Sequence, residues 1–333
     1  MERQLISVVI PVLNEAANLQ GLVARLQPAL DGLGVGGWEL IFVDDGSTDA
    51  TMAGLRQLNA GDPRVKAISF SRNFGKEIAL AAGLRYAAGD AVIIMDADLQ
   101  HPPEVLNQFI AHWREGYQVV YGRREDRNTD GVLRRLVSVV FYKLFNALVK
   151  TDIPDGAGDF RLLDRKAVDA MNRINEASRF NKGLFSWIGF KSIGVPYTVA
   201  ARADGGGSRW NVRRLAHFAL DGLTSFSTLP LRVSTLLGLA VSFVAFAYAL
   251  WIILKTVLLG VDVPGFPSII ISVMFFSGVQ LIFLGIIGEY LGRVYDEVKA
   301  RPLFLVAEEV GLGAPALPVQ NGGRHRPLGK ERV

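Results

Sequence analysis

The sequence contains no cysteine, so disulfides, thiolate metal sites and cysteine nucleophiles are all excluded. A signal peptide is not expected, because the apolar run before Pro11 has only six residues, Leu5–Ile10, too short for a signal-peptide core. Internal repeats and nucleic-acid-binding motifs are also missing, although the net charge is +4 and the pI is about 9.3. A basic chain without such motifs suits an anionic membrane surface or a phosphorylated substrate.

Half of the 333 residues are hydrophobic, and the mean hydropathy is +0.26, with the excess concentrated after residue 230. Two uncharged runs, Val233–Leu254 and Ser268–Gly288, are each long enough to cross the roughly 30 Å hydrocarbon core as a helix. Lys and Arg flank the outer ends of this pair, so the positive-inside rule puts both termini in the cytoplasm. The sequence therefore predicts a multi-pass membrane protein with a cytoplasmic front domain. The alternative is a pair of buried helices in a soluble protein.

Residues 5–121 alternate short apolar runs with amphipathic segments, which predicts strands and helices in turn. The strands are expected at Leu5–Ile10, Trp38–Val43, Val65–Phe70, Ala91–Met95 and Gln118–Tyr121. The helices are expected at Glu15–Leu30, Asp49–Asn59, Lys76–Ala87 and Pro103–Glu115. This alternation predicts an α/β fold with a mainly parallel sheet covered on both faces. Ligands of such sheets bind beyond the carboxyl ends of the strands.

Two basic amphipathic segments, 131–150 and 209–228, are predicted to be helices that either lie in the membrane interface or pack on the front domain. The tail from about residue 309 is rich in Gly and Pro and is predicted to be disordered. The predicted organisation is a catalytic domain (1–207), a juxtamembrane amphipathic helix (208–230), a two-helix transmembrane domain (231–291) and a cytoplasmic C-terminal segment with a disordered tail (292–333).

Acidic residues follow two of the predicted strands. Asp96 and Asp98 close an apolar strand, where two carboxylates can share Mg²⁺ or Mn²⁺ with a diphosphate. The alternative is that they cap the helix that Pro102 and Pro103 begin. Asp45 ends another strand and could accept hydrogen bonds from a nucleobase or ribose, while the loop 11–15 is expected at the same edge.

In this order, the motifs PVLNE, VDDGSTDAT, RNFGKEIAL and MDADLQHPPE resemble the family 2 glycosyltransferases of GT-A fold, and most closely their polyprenyl-phosphate branch. The segments GDFRLLDR, FNKGLFSWIGF, SFSTLPLR and GEYLGRVYDEVKARP extend the resemblance to nearly the whole chain except the tail. Bacterial bactoprenol glucosyltransferases and dolichol-phosphate mannose synthases are members of this branch. The resemblance implies inverting transfer of a sugar, with UDP-glucose as donor and undecaprenyl phosphate as acceptor. It also implies that the membrane is the bacterial inner membrane.

The resemblance also implies roles for individual residues. Asp45 would contact the base, Asp98 and Gln100 would hold the metal, and Asp96 would lie near the ribose or the metal. The other candidates for nucleotide-sugar binding are Pro11, Asn14, Glu15, Lys76 and Arg209, and those for the acceptor phosphate are Arg123, Arg134 and Ser138. The catalytic candidates are Asp98 and Asp159. Asp159 could be a general base, an organising residue, or a structural partner of Arg161 or Arg165.

A phosphate monoester has a second pKa near 6 and is mostly a dianion at neutral pH, so the acceptor needs no strong base. The harder task is to bring two anions together, for which the metal, Lys76 and the arginines would supply positive charge.

Several alternatives stay open in the sequence. The donor could carry GlcNAc, galactose, mannose or aminoarabinose. A processive polysaccharide synthase would share the front motifs, but Gly206 stands where its Gln-x-x-Arg-Trp motif begins. A non-enzymatic nucleotide-sugar-binding protein is the third reading. Expected partners are the membrane, a downstream flippase and a periplasmic glycosyltransferase, and a homo-oligomer is compatible with the sequence.

Overall fold

The computed structural model describes residues 4–98, 100–124, 157–177, 179–198, 229–259 and 265–312. The first elements are β1 (Leu5–Val12), α1 (Leu19–Asp31), β2 (Gly37–Asp44), α2 (Thr51–Gly61), β3 (Val65–Phe70), α3 (Lys76–Tyr86), β4 (Ala91–Ile94), α4 (Val105–Arg114) and β5 (Val119–Arg124). Then follow β6 (Ala157–Asp164), α5 (Arg165–Arg173), α6 (Asn181–Trp187), β7 (Ser192–Tyr197), α7 (Leu229–Leu259), α8 (Phe266–Val298) and β8 (Val306–Val310). All nine elements predicted between residues 5 and 121 are present, with ends that differ by at most four residues.

The strands form one eight-stranded sheet in the order β7-β5-β6-β4-β1-β2-β3-β8. The central pairs β4–β1, β1–β2 and β2–β3 are parallel, and so is β5–β7. Strands β6 and β8 run antiparallel to their neighbours. The predicted α/β class with a mainly parallel sheet is therefore confirmed, and two antiparallel strands are added to it.

Apolar residues alternate between the two faces of the central strands, as a sheet covered on both sides requires. On β1, Val8 and Ile10 face the core built with α1, α2 and α4, whereas Val9 faces the core built with α3, α5 and α6. Helix α3 packs closely on β1, because a Cβ on Gly83 would overlap the side chain of Val9. This close packing fixes the helix whose first residue is Lys76.

Helices α7 and α8 have 31 and 33 residues, and large apolar side chains along both of them are exposed, including Phe243, Trp251 and Phe275. Within α8, the stretch Phe275–Val298 is long and apolar enough to cross a membrane, and none of it is buried. The apolar stretch Val233–Tyr248 in α7 is shorter. One candidate span is thus found in the described residues, and the arrangement with two transmembrane helices stays a prediction.

The C-terminal segment departs from the prediction. Strand β8 pairs with β3, so disorder from about residue 309 is wrong for residues 309–312, which the structure places on the front domain. The predicted amphipathic helices at 131–150 and 209–228 lie outside the described residues, as does the chain after residue 312.

Candidate active site

The carboxyl ends of β1, β2 and β4 lie at one edge of the sheet because these strands are parallel. The loops after β1 and β2 are joined by hydrogen bonds that involve side chains. Asn14 has a φ of 56°, a left-handed conformation that Asn tolerates better than most residues. Its N–H donates to Ser47 Oγ at 2.8 Å, and its Oδ1 accepts the N–H of Thr48 at 2.9 Å. The Glu15 N–H donates to Thr51 Oγ1 at 3.0 Å, so the candidates Asn14 and Glu15 connect the first two loops.

The third candidate of the first loop, Pro11, lies within β1 opposite Val43 of β2. Its ring adds no donor to this edge, because proline has no backbone N–H. Pro11 thus belongs to the strand that leads into the site.

Asp45 holds the loop between β3 and α3. Its carboxylate accepts the N–H of Phe74 at 2.7 Å and the N–H of Gly75 at 3.0 Å. Burial raises the pKa of Asp45, and the two backbone donors oppose that rise. Next to it, Gly46 has a φ of +75°, and a Cβ there would come within 2.6 Å of the Arg72 backbone. Only glycine allows this close approach of the two loops.

Lys76 joins two carboxylates that are distant in sequence. Its Nζ lies 2.7 Å from Asp96 Oδ1, after β4, and donates to Asp159 Oδ2, on β6, at 2.8 Å. The antiparallel register pairs Ile94 with Arg161, and this register extended by two residues brings Asp96 opposite Asp159. The predicted residues Lys76, Asp96 and Asp159 therefore form one cluster.

The cluster fixes the charge state of its members. Burial favours the neutral form of Lys76, but the carboxylates of Asp159 and Asp96 outweigh it and raise the pKa of Lys76 well above its usual range. Burial likewise opposes ionisation of Asp159, yet Lys76, with smaller contributions from Lys182 and Arg161, holds the pKa of Asp159 well below its usual range. Arg165 donates instead to the carbonyls of Ala87 and Gly89. Lys76 thus hydrogen-bonds to Asp159, whereas Arg165 binds these backbone carbonyls.

Asp96, Asp98 and Gln100 form a tight loop after β4, in which the Gln100 N–H donates to Asp98 Oδ1 at 3.1 Å. Within the described part of the chain, Asp159 Oδ1 is buried without a hydrogen-bond donor, whereas Asp96 Oδ1 is buried beside the Lys76 ammonium at 2.7 Å. Among the described residues, no three carboxylate or imidazole side chains are already grouped as a complete metal site. In nucleotide-binding proteins, Mg²⁺ is commonly bound by one or two carboxylates together with oxygens of the substrate phosphates. The side chains of Asp96, Asp98 and Gln100 supply oxygen ligands of this kind, so they fit such an ion.

Two supporting residues were missed by the sequence analysis. His101 accepts the Asp96 N–H through Nδ1 at 3.2 Å and stacks on Phe160, with ring centroids 4.5 Å apart. Burial lowers the pKa of His101, which favours the neutral ring that this hydrogen bond assigns. Asn181 is 1% exposed and donates its backbone N–H and its side-chain amide to Glu77, the residue after Lys76. Both lie in motifs of the resemblance, but the contacts depend on the tertiary fold.

The acceptor candidates are only partly described. Arg123 is exposed near the carboxyl end of β5, and β5 runs in the same direction as β4 because β6 is antiparallel to both. Arg123 therefore lies at the same edge of the sheet as Asp96. Arg134, Ser138 and Arg209 lie outside the described residues.

Three comparisons identify similar proteins. The family model described as glycosyl transferase family 2 matches residues 7–171. An uncharacterized glycosyltransferase of Synechocystis sp. is 48% identical over 307 residues, which cover 92% of this chain and 96% of that protein. A prophage-derived bactoprenol glucosyl transferase of Shigella flexneri is 44% identical over 301 residues, covering 90% and 97%. A crystal structure of glucosyl-3-phosphoglycerate synthase from Mycobacterium tuberculosis with Mn²⁺, UDP-glucose and phosphoglyceric acid aligns with a TM-score of 0.47 and 23% identity, covering 66% of this chain and 78% of that one.

Proposed function

This chain belongs to glycosyl transferase family 2, and on that premise we propose that it transfers glucose from UDP-glucose to a polyprenyl phosphate at the cytoplasmic face of a bacterial membrane. The family membership confirms the resemblance drawn from the motifs, and the chain is a glycosyltransferase. Support for glucose and for the lipid carrier comes from the bactoprenol glucosyl transferase of Shigella flexneri, which matches nearly the whole chain. Undecaprenyl phosphate is the acceptor that we infer for this chain.

The observation that carries the proposal is the cluster at the carboxyl edge of the sheet. Lys76 bridges Asp96 and Asp159, and it follows directly after the amide of Gly75 that Asp45 holds. A lysine at this place can neutralise a diphosphate that approaches the acidic loops, since developing charge is stabilised best by fixed, preorganised groups.

In the proposed reaction, an oxygen of the acceptor phosphate attacks the anomeric carbon of glucose while UDP leaves from the opposite face. One bond forms on the face opposite to the bond that breaks, so the configuration inverts. Asp98, Asp96 and Gln100 would hold Mg²⁺ or Mn²⁺, and the bound cation would offset the charge on the departing diphosphate. The acceptor is mostly a dianion at neutral pH, with its second pKa near 6, and no proton has to be removed.

The state of Asp159 supports an organising role. A carboxylate whose pKa is held well below its usual range is a weak general base, because proton transfer is most efficient when the pKa lies near the working pH. We infer that Asp159 instead holds the ammonium of Lys76, 2.8 Å away, in position for the substrates.

The long helices support the membrane location. Helix α7 with 31 residues and helix α8 with 33 measure about 46 and 50 Å at 1.5 Å per residue, longer than the roughly 30 Å hydrocarbon core. We propose that Val233–Leu254 and Ser268–Gly288 both cross the inner membrane and that both termini are cytoplasmic. This topology gives the front domain access to cytosolic nucleotide sugar.

The decisive experiment uses the full-length protein in detergent with radiolabelled UDP-glucose, undecaprenyl phosphate and Mg²⁺. We expect release of UDP and a solvent-extractable lipid that carries one glucose. A polymeric product would identify a polysaccharide synthase, and donor binding without turnover would identify a nucleotide-sugar-binding protein. Turnover only with UDP-GlcNAc, UDP-galactose, GDP-mannose or a UDP-aminoarabinose donor would keep the enzyme class and overturn glucose.

A further inference from the structure

The return segment, residues 299–312, follows the long apolar helix α8 and contacts the front domain beside the loop Ser71–Gly75. The N–H of Ser71 donates to the carbonyl of Leu305 at 3.0 Å. Phe304 is 2% exposed and stacks on Phe70, the last residue of β3, with ring centroids 5.1 Å apart. The return segment therefore contacts Phe70, which precedes the loop Ser71–Gly75, and Ser71, the first residue of that loop.

The contacts continue through the loop to Asp45. Phe70 also packs edge-to-face against Phe74, with centroids 5.6 Å apart, and the N–H of Phe74 donates to Asp45 at 2.7 Å. The loop thus lies between two supports, the aromatic contacts that begin at Phe304 on one side and the carboxylate of Asp45 on the other. Lys76 follows at the end of the loop, so a shift of the loop would move Lys76 as well.

We infer that Phe304, with the backbone of Leu305, positions the loop Ser71–Gly75 for binding of the nucleoside diphosphate. This inference rests on the proposed function, in which Asp45 and Lys76 face the donor. Phe304 acts through Phe70 and Phe74 and is a positioning residue. The return segment thereby connects the end of the membrane helix α8, at Val298, to the donor site within a few residues.

The backbone of β8 pairs with β3, but the side chains of its two glutamates make contacts elsewhere. Glu308 forms a bidentate ion pair with Arg56 of α2, with both distances 2.7 Å, and Glu309 accepts the hydroxyl of Tyr86. Because these contacts do not involve the loop, substitutions at Glu308 change the attachment of β8 without removing the aromatic contacts. Glu308→Gln is therefore the matched control for Phe304→Ala.

The first readout is hydrogen exchange of the full-length protein without nucleotide. We expect the amides of Phe74 and Gly75 to exchange at least tenfold faster in Phe304→Ala than in the wild type, and Phe304→Leu to restore most of the protection. Leu26→Ala removes an equally buried side chain from the opposite core and controls for general loss of stability. Unchanged exchange in Phe304→Ala, or equally fast exchange in Glu308→Gln or Leu26→Ala, overturns the inference.

The second readout is calorimetric binding of UDP in the presence of Mn²⁺. We expect Phe304→Ala to weaken UDP binding at least fivefold, with Glu308→Gln and Leu26→Ala within twofold of the wild type. Faster exchange in the loop with unchanged UDP affinity would overturn the role in nucleotide binding. If the wild type bound no UDP but bound another nucleoside diphosphate, the proposed donor would be wrong, and the same variants tested with that nucleotide would decide the positioning role.

Discussion

Lys76 and Asp159 form a hydrogen-bonded ion pair of 2.8 Å between residues that are 83 positions apart in sequence. It joins the first residue of α3 to β6. The ion pair also holds the pKa of Asp159 well below its usual range, so the carboxylate stays ionised. A single cation thus controls two acidic groups of the site, since Asp96 Oδ1 is 2.7 Å from the same ammonium.

The first prediction concerns this cation. Lys76→Met keeps most of the side-chain length but removes the charge, and we expect kcat/KM to fall by about 10²- to 10³-fold, as when a preorganised electrostatic group is lost. Steady-state kinetics with both substrates checks this result. Lys66→Met is the control, because Lys66 pairs with Glu39 at 2.6 Å on strands of the same sheet away from the acidic loops. Wild-type turnover in Lys76→Met would contradict the assignment.

The pair also predicts coupling between its members. Asp159→Asn alone should reduce kcat, because Lys76 loses its ionic partner and its fixed position. If Asp159 acts only through Lys76, the double variant Lys76→Met/Asp159→Asn should be little worse than Lys76→Met, since groups that act as a unit are not additive. Fully additive losses would indicate that Asp159 has a separate role, such as a general base.

The second prediction concerns the metal. We expect activity to disappear with EDTA, to return with Mg²⁺ or Mn²⁺, and to fall at least about 100-fold in Asp98→Ala, because a lost ligand removes several kcal/mol of transition-state stabilisation. Calorimetry of Mn²⁺ binding in the presence of UDP gives a readout apart from turnover. Asp90→Ala is the control, as Asp90 accepts the Leu5 N–H at the start of β1. Full activity in EDTA would show that no metal is used.

The parts of the site that follow from local sequence patterns could be predicted, whereas the parts that depend on contacts between residues distant in sequence could not. Strand ends, helix starts and acidic loops follow local patterns, so Asp45, Asp96 and Asp98 were found at the correct edge. Strand β8 was missed because it is short, has two glutamates and is half exposed. Its pairing depends on distant partners, such as Arg56 for Glu308. The support of Glu77 by Asn181 likewise spans 104 positions and has no local signal.

The third prediction is a pH dependence of stability. Burial, and then repulsion by Asp159, raises the pKa of Glu77 from 4.5 to about 7. The folded protein holds this proton more tightly than the unfolded chain, so the stabilisation is complete below about pH 4.5 and is lost as the pH rises through about 7. In the wild type, the free energy of unfolding should fall by roughly 1–3 kcal/mol over this pH range, and we expect Glu77→Gln to remove this fall.

Thermal unfolding of the metal-free protein between pH 5 and about 8.5 measures this effect. The wild type should lose stability relative to Glu77→Gln across this range, whereas Glu104→Gln, at an exposed position, should keep the wild-type slope. Parallel curves for the wild type and Glu77→Gln would show that Glu77 does not hold a proton in the folded state.

The fourth prediction is the membrane topology. The chain has no cysteine, so single cysteines can be introduced into an otherwise unreactive background. We expect a membrane-impermeant maleimide added to spheroplasts to label Asp262→Cys, between the two proposed spans, but not Glu104→Cys or Ala307→Cys. The latter two should react only after the membrane is permeabilised. Labelling of Glu104→Cys from outside would place the front domain on the outer side of the membrane, where cytosolic nucleotide sugar could not reach it.

The last prediction separates acceptor binding from donor binding. Arg123 lies exposed near the carboxyl end of β5, while Asp45 holds the loop Ser71–Gly75 through the amides of Phe74 and Gly75. A hydrogen bond to a charged group contributes about 1.5–3 kcal/mol, or roughly 10- to 150-fold in affinity. Arg123→Ala should therefore raise the KM for polyprenyl phosphate by about this factor and leave UDP affinity nearly unchanged. Asp45→Ala should do the opposite.

Two further variants sharpen this test. Arg123→Lys keeps the charge but loses the planar fork that binds two phosphate oxygens at once, so it should recover only part of the acceptor affinity. Arg114→Ala removes an arginine whose guanidinium contacts Gln4 and the Gly34 carbonyl near the start of β1, and it should change neither constant. If Arg123→Ala weakened UDP binding and left the lipid KM unchanged, Arg123 would belong to the donor site. Such a result would move the acceptor phosphate away from β5 but would leave the glycosyltransferase assignment intact, because that assignment rests on the family match and the acidic loops.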